Sequence, residues 1–152
     1  MCKYKSLVFE IATDIDGFVS STVYDDQVLI ASLYGRIIDQ WFKIYNFCNH
    51  TRGDAIGHRK YKYCGAWLLL QTIMYFSLTH ANLGLSLLAD GSDSNYIKLV
   101  SYYEKLGFTK VDEQVEFQHA SMQASARYVV EKIRKNLFLK CLHCFCEKTN
   151  FA

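Results

Sequence analysis

Four short runs rich in β-branched and aromatic residues fill the first third of the chain, with almost nothing between them. Residues 7–12, 18–24, 28–34 and 41–47 each read as a strand. Asp14, Ile15, Asp16 and Gly17 form the turn between the first two. The third run is continuously apolar and suits a central strand buried on both faces. No helix is evident before residue 48.

The remainder alternates. Residues 48–63 turn polar and basic, with Gly53 and Gly57 as flexible points and no proline to fix the backbone. Residues 66–80 read as a helix, apolar on nearly every side and hence buried. A short strand follows at 84–89, then a helix through 96–106 that Ser92 or Ser94 can cap. Leu99, Tyr103 and Leu106 keep helical spacing, Gly107 fits the left-handed closing position, and Phe108 can fold back on the last turn. Residues 108–117 return as a strand. Strands, basic loop, helix, strand, helix, strand is a mixed α/β order with at least one right-handed βαβ crossover.

Composition narrows the class. The chain has 152 residues, 51% hydrophobic and 21% charged, which suits one packed domain and excludes intrinsic disorder. Proline is absent, so cis-Pro turns and polyproline ligand segments are excluded. A formal net charge of +2 argues against nucleic acid as a partner. Positive residues cluster all the same: Arg52, His58, Arg59, Lys60 and Lys62 suit a small anion. A second cluster, Arg127, Lys132, Arg134, Lys135 and Lys140, reads as a solvated face. The N-terminal residues lack the apolar stretch of an export signal, and the run 66–78 is too short to span a bilayer. The expectation is a soluble protein, without a membrane partner, whose six cysteines stay reduced in the cytoplasm or nucleus.

Tyr102-Tyr-Glu-Lys-Leu-Gly-Phe108 resembles the helix end found near the close of the GNAT superfamily of acyl-CoA-dependent N-acyltransferases. Gly91-Ser-Asp-Ser-Asn95 resembles the small polar turn before it. The resemblance covers about residues 52–133, with 127–133 similar to the closing strand. It implies an α/β (α+β) fold: a mixed, largely antiparallel central sheet flanked by helices. The whole chain, 1–152, would be one such domain, with a core of about 7–133 and a Cys-rich helical extension of about 134–152. The implied activity is acetyl-CoA-dependent N-acetyltransfer, moving an acetyl group directly from coenzyme A to a primary amine of unknown identity. Small amines, polyamines and protein amines are the candidate classes. The alternative is a non-catalytic module that keeps the fold to bind coenzyme A or a protein.

By the same resemblance Tyr103 would protonate the departing CoA thiolate, a step that suits a phenol neutral at pH 7. Asn95 would lie near the pantetheine or the 3′ end of the cofactor. A backbone N–H on the fourth strand would polarise the thioester carbonyl. The family's phosphate loop opens its long helix, where backbone N–H groups and the helix dipole hold the pyrophosphate. Two registers are open. Arg52-Gly-Asp-Ala-Ile-Gly57 matches the loop pattern more closely. Lys60-Tyr-Lys-Tyr-Cys-Gly65 has Tyr63 where the family has glycine, but sits directly before Ala66 and the apolar helix. Helix placement favours the second, giving Arg59, Lys60, Tyr61, Lys62, Tyr63, Cys64, Gly65 and Ala66 as the cofactor-binding set.

The acceptor side is less defined, since the two helices that normally follow the family's first strand have no counterpart. A homodimer could complete that pocket. Glu10, Asp39 and Asp90 are candidate general bases. Asp14, Asp16, Asp25 and Asp26 are turn formers that could draw a cationic acceptor if their loops converge. Cys141-Leu-His-Cys144-Phe-Cys146 resembles half a zinc site, which Cys48 and His50 could complete. The simpler reading is no metal, with Val129, Ile133, Leu137, Cys141 and Phe145 as the apolar stripe of a terminal helix. Cys64 has no partners of a conventional nucleophile pattern. On periodicity alone Tyr103 reads as a core aromatic with its hydroxyl at the surface, and the order of motifs brings the catalytic role level with that reading.

Overall fold

The computed structural model describes residues 7–50, 63–91 and 95–140, with side chains to residue 136. The four early runs are β1 (Leu7–Thr13), β2 (Phe18–Asp25), β3 (Val28–Ile38) and β4 (Trp41–Asn49). They form an antiparallel meander, each strand paired with the next. Helix α1 (Cys64–Ser77) then carries the chain to β5 (Gly84–Asp90), which lies parallel to β4. Helix α2 (Tyr96–Leu106), β6 (Thr109–Gln114), a 3-10 turn at Val115–Phe117, β7 (His119–Ser125) and helix α3 (Ala126–Lys140) complete the order. The sheet runs β1-β2-β3-β4-β5-β7-β6, mixed and largely antiparallel as expected.

One face of the sheet holds the core. Val19, Val23, Leu33, Phe42, Ile44, Leu85, Leu87, Ala120 and Met122 alternate inward along their strands and are buried against the helices. Helix α1 packs on β2, β3 and β4, α2 packs on β5, and α3 packs on α1, α2 and β7. A buried polar contact between α1 and the sheet is satisfied. The Thr72 hydroxyl donates to the Leu68 carbonyl at 2.8 Å and meets Ser21 Oγ at 2.9 Å. Among the described residues the other face carries no helix, and Phe18, Tyr34, Tyr45 and Leu88 lie along it. Phe18 and Tyr34 stack there at 6.0 Å, with the Arg36 guanidinium 4.7 Å over Phe18. No helix is long and apolar enough to cross a membrane among the described residues.

Three expectations are corrected. Residues 127–133 form no closing strand: they lie within α3, opened by Ser125, whose Oγ accepts from Tyr128 N–H at 3.2 Å. Val129 and Ile133, four apart, are 0% and 1% exposed, so helical burial overrides the β-propensity of Tyr128-Val-Val130. The closing strand is β7 instead. The strand foreseen through 117 ends at Gln114, where the chain turns into β7. The cap of α2 is Asn95, in an extended conformation, accepting from Lys98 N–H at 3.1 Å, while Ser92 and Ser94 lie outside the described residues.

Candidate active site

Strands β4 and β5 pair from Trp41 opposite Gly84 to Ile44 opposite Leu87, and no further. Beyond that point β4 stays with β3 as far as Asn49, and β5 stays with β7 as far as Asp90. The parallel pair therefore parts, leaving a wedge-shaped gap in mid-sheet. A β-bulge sits where the gap opens: Tyr34 faces Asn46 while Gly35 faces Ile44, so Tyr45 is the extra residue. Such a bulge bends its strand and accounts for the turn of β4 away from β5. A Cβ on Gly35 would lie on the Lys43 carbonyl oxygen, so only glycine lets the two backbones approach this closely.

Tyr103 faces this gap from the helix side. The end of α2 explains why. Phe108 N–H bonds to the Tyr103 carbonyl at 3.1 Å, Gly107 N–H bonds to the Glu104 carbonyl at 3.0 Å, and Gly107 takes φ 108°. This is a Schellman closure, with its usual apolar contact: the Tyr103 and Phe108 rings lie 6.0 Å apart, edge to face. The Tyr-Glu-Lys-Leu-Gly-Phe signature is thus a folding device that fixes Tyr103 backbone and ring together. Tyr103 is 7% exposed and packs on Phe47 of β4, ring centres 6.5 Å apart.

Sequence reasoning missed Tyr102. Its ring also meets Phe47, and its hydroxyl lies 3.4 Å from where a Gly65 Cβ would stand. The residue is 40% exposed, yet burial, followed by the neighbouring Tyr103, pushes its phenol up, so it remains a neutral donor. The signal was available in the doubled tyrosine, but helical spacing assigns only one of the pair to the core.

Tyr63, Cys64, Gly65 and Ala66 meet these tyrosines at the start of α1. Tyr63 is the N-terminal boundary residue, and its carbonyl accepts from Trp67 N–H at 3.0 Å. No side chain caps the helix and its first turn holds no acid. First-turn N–H groups have no partner inside a helix, so this end presents donors and the positive end of the dipole. The helix starts at Cys64, two residues before the Ala66 expected from the sequence, so Cys64 and Gly65 of the second register lie in its first turn. Arg59, Lys60, Tyr61 and Lys62, and the whole Arg52–Gly57 register, lie outside the described residues. Burial, reinforced by Asp25, pushes the Cys64 thiol up to about 12, which disfavours the thiolate that a nucleophile needs.

Of the candidate bases only Asp90 is at the gap. Asp39 sits in the β3–β4 turn at the opposite end of the sheet, and Glu10 is on β1, three strands from β4. The acidic turn residues do not converge. Asp14 and Asp16 lie at one end of β2 and Asp25 and Asp26 at the other, roughly 23 Å apart along the strand. Asp14 is committed to its turn, accepting from the N–H groups of Asp16 and Phe18. Asn95 uses its side-chain oxygen to cap α2. Cys48 Sγ is 3.9 Å from His50 Nδ1, and no group of three metal-ligating side chains forms among the described residues. Cys141, Cys144 and Cys146 lie outside them. A groove of about 930 Å³ between α1, α3 and β7, lined by Trp41, Met74, Leu78 and Arg134, opens at the far end of the sheet.

No protein-family model and no curated protein sequence matches the chain. Solved structures do. The chain is similar to PaiA N-acetyltransferase from Thermoplasma acidophilum in complex with coenzyme A, at 17% identity and a TM-score of 0.56. That match covers 72% of this chain and 61% of the other, so the chain spans less than two thirds of that protein's length. A putative acetyltransferase of the GNAT family from Desulfovibrio desulfuricans matches at 14% identity and TM-score 0.57, covering 72% of this chain and 70% of that one. Mutant forms of the spermidine/spermine N-acetyltransferase SpeG from Vibrio cholerae match at 15% and 0.57, covering 78% and 72%. With the parted parallel pair, the bulged β4 and the helix order already in place, these likenesses show that the chain has the fold of the GNAT N-acetyltransferases.

Proposed function

We propose that the chain is an acetyl-CoA-dependent N-acetyltransferase that moves the acetyl group directly onto a primary amine. The observation that carries this reading is the convergence of Tyr103 and the uncapped start of α1 on the parted β4–β5 pair. A pyrophosphate fits the first-turn N–H groups of Cys64, Gly65 and Ala66, beside the neutral Tyr102 hydroxyl. An acyl thioester arm then follows the gap along β4, and a backbone N–H near the Tyr45 bulge polarises its carbonyl. The amine nitrogen attacks the carbonyl carbon, a C–N bond forms, and the C–S bond breaks. Tyr103 supplies the proton that leaves with sulfur. The similarity to a coenzyme A complex and to a polyamine acetyltransferase supports this reading. Arg59, Lys60, Lys62 and Asn95 belong to the proposed cofactor set, and the cytoplasm is the proposed compartment.

Thiol release from acetyl-CoA, followed with spermidine, tyramine and a peptide bearing a free α-amine, tests it. Turnover with at least one amine is expected. Tyr103→Phe should then lower kcat about 100-fold and leave coenzyme A affinity nearly unchanged. Release no faster than in buffer with every amine, or an unchanged kcat in the variant, contradicts the assignment. A non-catalytic binding module would bind acetyl-CoA and release no thiol.

A further inference from the structure

The helix side of the gap is lined by Phe47, Tyr102, Tyr103 and the start of α1, so a second reactant has the helix-free face by which to reach it. On that face, at the lip of β5, stand Asp90 and His119. They are direct cross-strand partners on β5 and β7, and His119 Nε2 lies 3.2 Å from Asp90 Oδ1. Their inward neighbours Ala89 and Ala120 are 0% and 1% exposed, whereas Asp90 and His119 are 49% and 36% exposed by side chain. Strand alternation therefore turns both side chains outward, together with Leu88, toward the same open face. A carboxylate on Nε2 holds that nitrogen as the N–H donor and leaves Nδ1 as the basic one. Among the described residues no other hydrogen bond to the His119 ring is present.

We propose that His119, oriented by Asp90, accepts the proton lost by the acceptor amine; this rests on the acetyl-transfer reading above. The dyad stands three residues beyond Leu87, about 10 Å along the strand from the last β4–β5 pair. Because β5 stands between His119 and the gap, the transfer runs through a file of bridging waters along the helix-free face. The balance closes: the amine nitrogen gives up one proton to His119 as the C–N bond forms, and sulfur gains one from Tyr103 as the C–S bond breaks. Solvent returns the proton from His119 to Tyr103 between turnovers. On the face of His119 stand Asp90 on β5 and Asp112 on β6, which pairs with the outward Ser121, whereas Glu113 and Lys110 pair with the inward Ala120 and Met122 on the other face, beside Tyr96 of α2. Tyr96 donates to Glu113 at 2.6 Å, and Lys110 donates to the same carboxylate at 3.1 Å. Asp90 is thus the carboxylate that meets the ring, while Glu113 is engaged by Tyr96 and Lys110.

The second histidine of the helix-free face, His50, is the control. Its Nε2 is 2.9 Å from Ser32 Oγ and its Nδ1 3.9 Å from Cys48 Sγ, so no carboxylate orients it. The test is thiol release from acetyl-CoA with spermidine, tyramine and a free-amine peptide across pH 5.5–9, for wild type, H119Q, D90N and H50Q. A base must be unprotonated to act, so wild-type kcat falls as pH falls. H119Q should lose that acidic limb and about 100-fold in kcat, with acetyl-CoA affinity by calorimetry within twofold of wild type. D90N should keep the limb, with a smaller loss of kcat. H50Q should match wild type. An H119Q profile identical to wild type, or a limb abolished by H50Q instead, overturns the assignment while acetyl transfer stands. Wild-type protein that releases no thiol with any amine overturns both.

Discussion

Tyr103 and Cys64 show how environment sorts residues that composition cannot. Both are buried, yet only Tyr103 reaches the gap, because the Schellman closure at Gly107 and Phe108 fixes its ring toward β4. Cys64, at the helix start, is 2% exposed and its thiol is pushed up to about 12. The raised value has a consequence for stability. The unfolded thiol loses its proton near the ordinary thiol range while the folded one keeps it. Stability from this group is therefore complete below about pH 8.5 and declines as pH rises toward 12. Between those limits it falls by about 1.4 kcal/mol per pH unit. Urea denaturation of wild type and Cys64→Ala at pH 8 and pH 10 reads this out. The gap between the two proteins should narrow at the higher pH, and a constant gap would contradict a raised thiol.

Among the elements, those with strong local patterns were legible in the sequence. The early strands carry inward Val19, Val23 and Leu33 in alternation, and the α2 terminus carries its own closure signal in Gly107-Phe108. Strand β7 was not legible, because its inward positions are Ala120, Met122 and Ala124, two of them too small to stand out in a period-2 pattern. Helix α3 was legible as a stripe but obscured by Tyr128-Val-Val130, which mimics a strand in isolation. The stripe is what holds α3 on α1 and α2. Ile133→Ala, at a site 1% exposed, should cost roughly 2–5 kcal/mol in chemical denaturation. A loss below about 0.5 kcal/mol would mean that α3 is an appendage instead of part of the core.

At the scale of the whole molecule, the gap between β4 and β5 arises from pairing, and no local pattern announces it. The order of elements pointed to it only through the family resemblance. The bulge at Tyr45, the meeting of Tyr102 with Gly65 and the outward Asp90–His119 pair are all products of strands far apart in sequence. The missing acceptor-side helices were legible, since the turn after β1 holds only Asp14 to Gly17, and the helix-free face is their consequence. The central claim is that the start of α1 and the gap beside it hold an acyl-CoA. Titration calorimetry with acetyl-CoA tests this most directly, on wild type and on Gly65→Asp, which places a negative charge in the first turn without breaking the helix. The account predicts one site with Kd below ~1 mM in the wild type and at least about tenfold weaker binding in the variant. No heat of binding at millimolar acetyl-CoA, or equal affinity in both proteins, would contradict it.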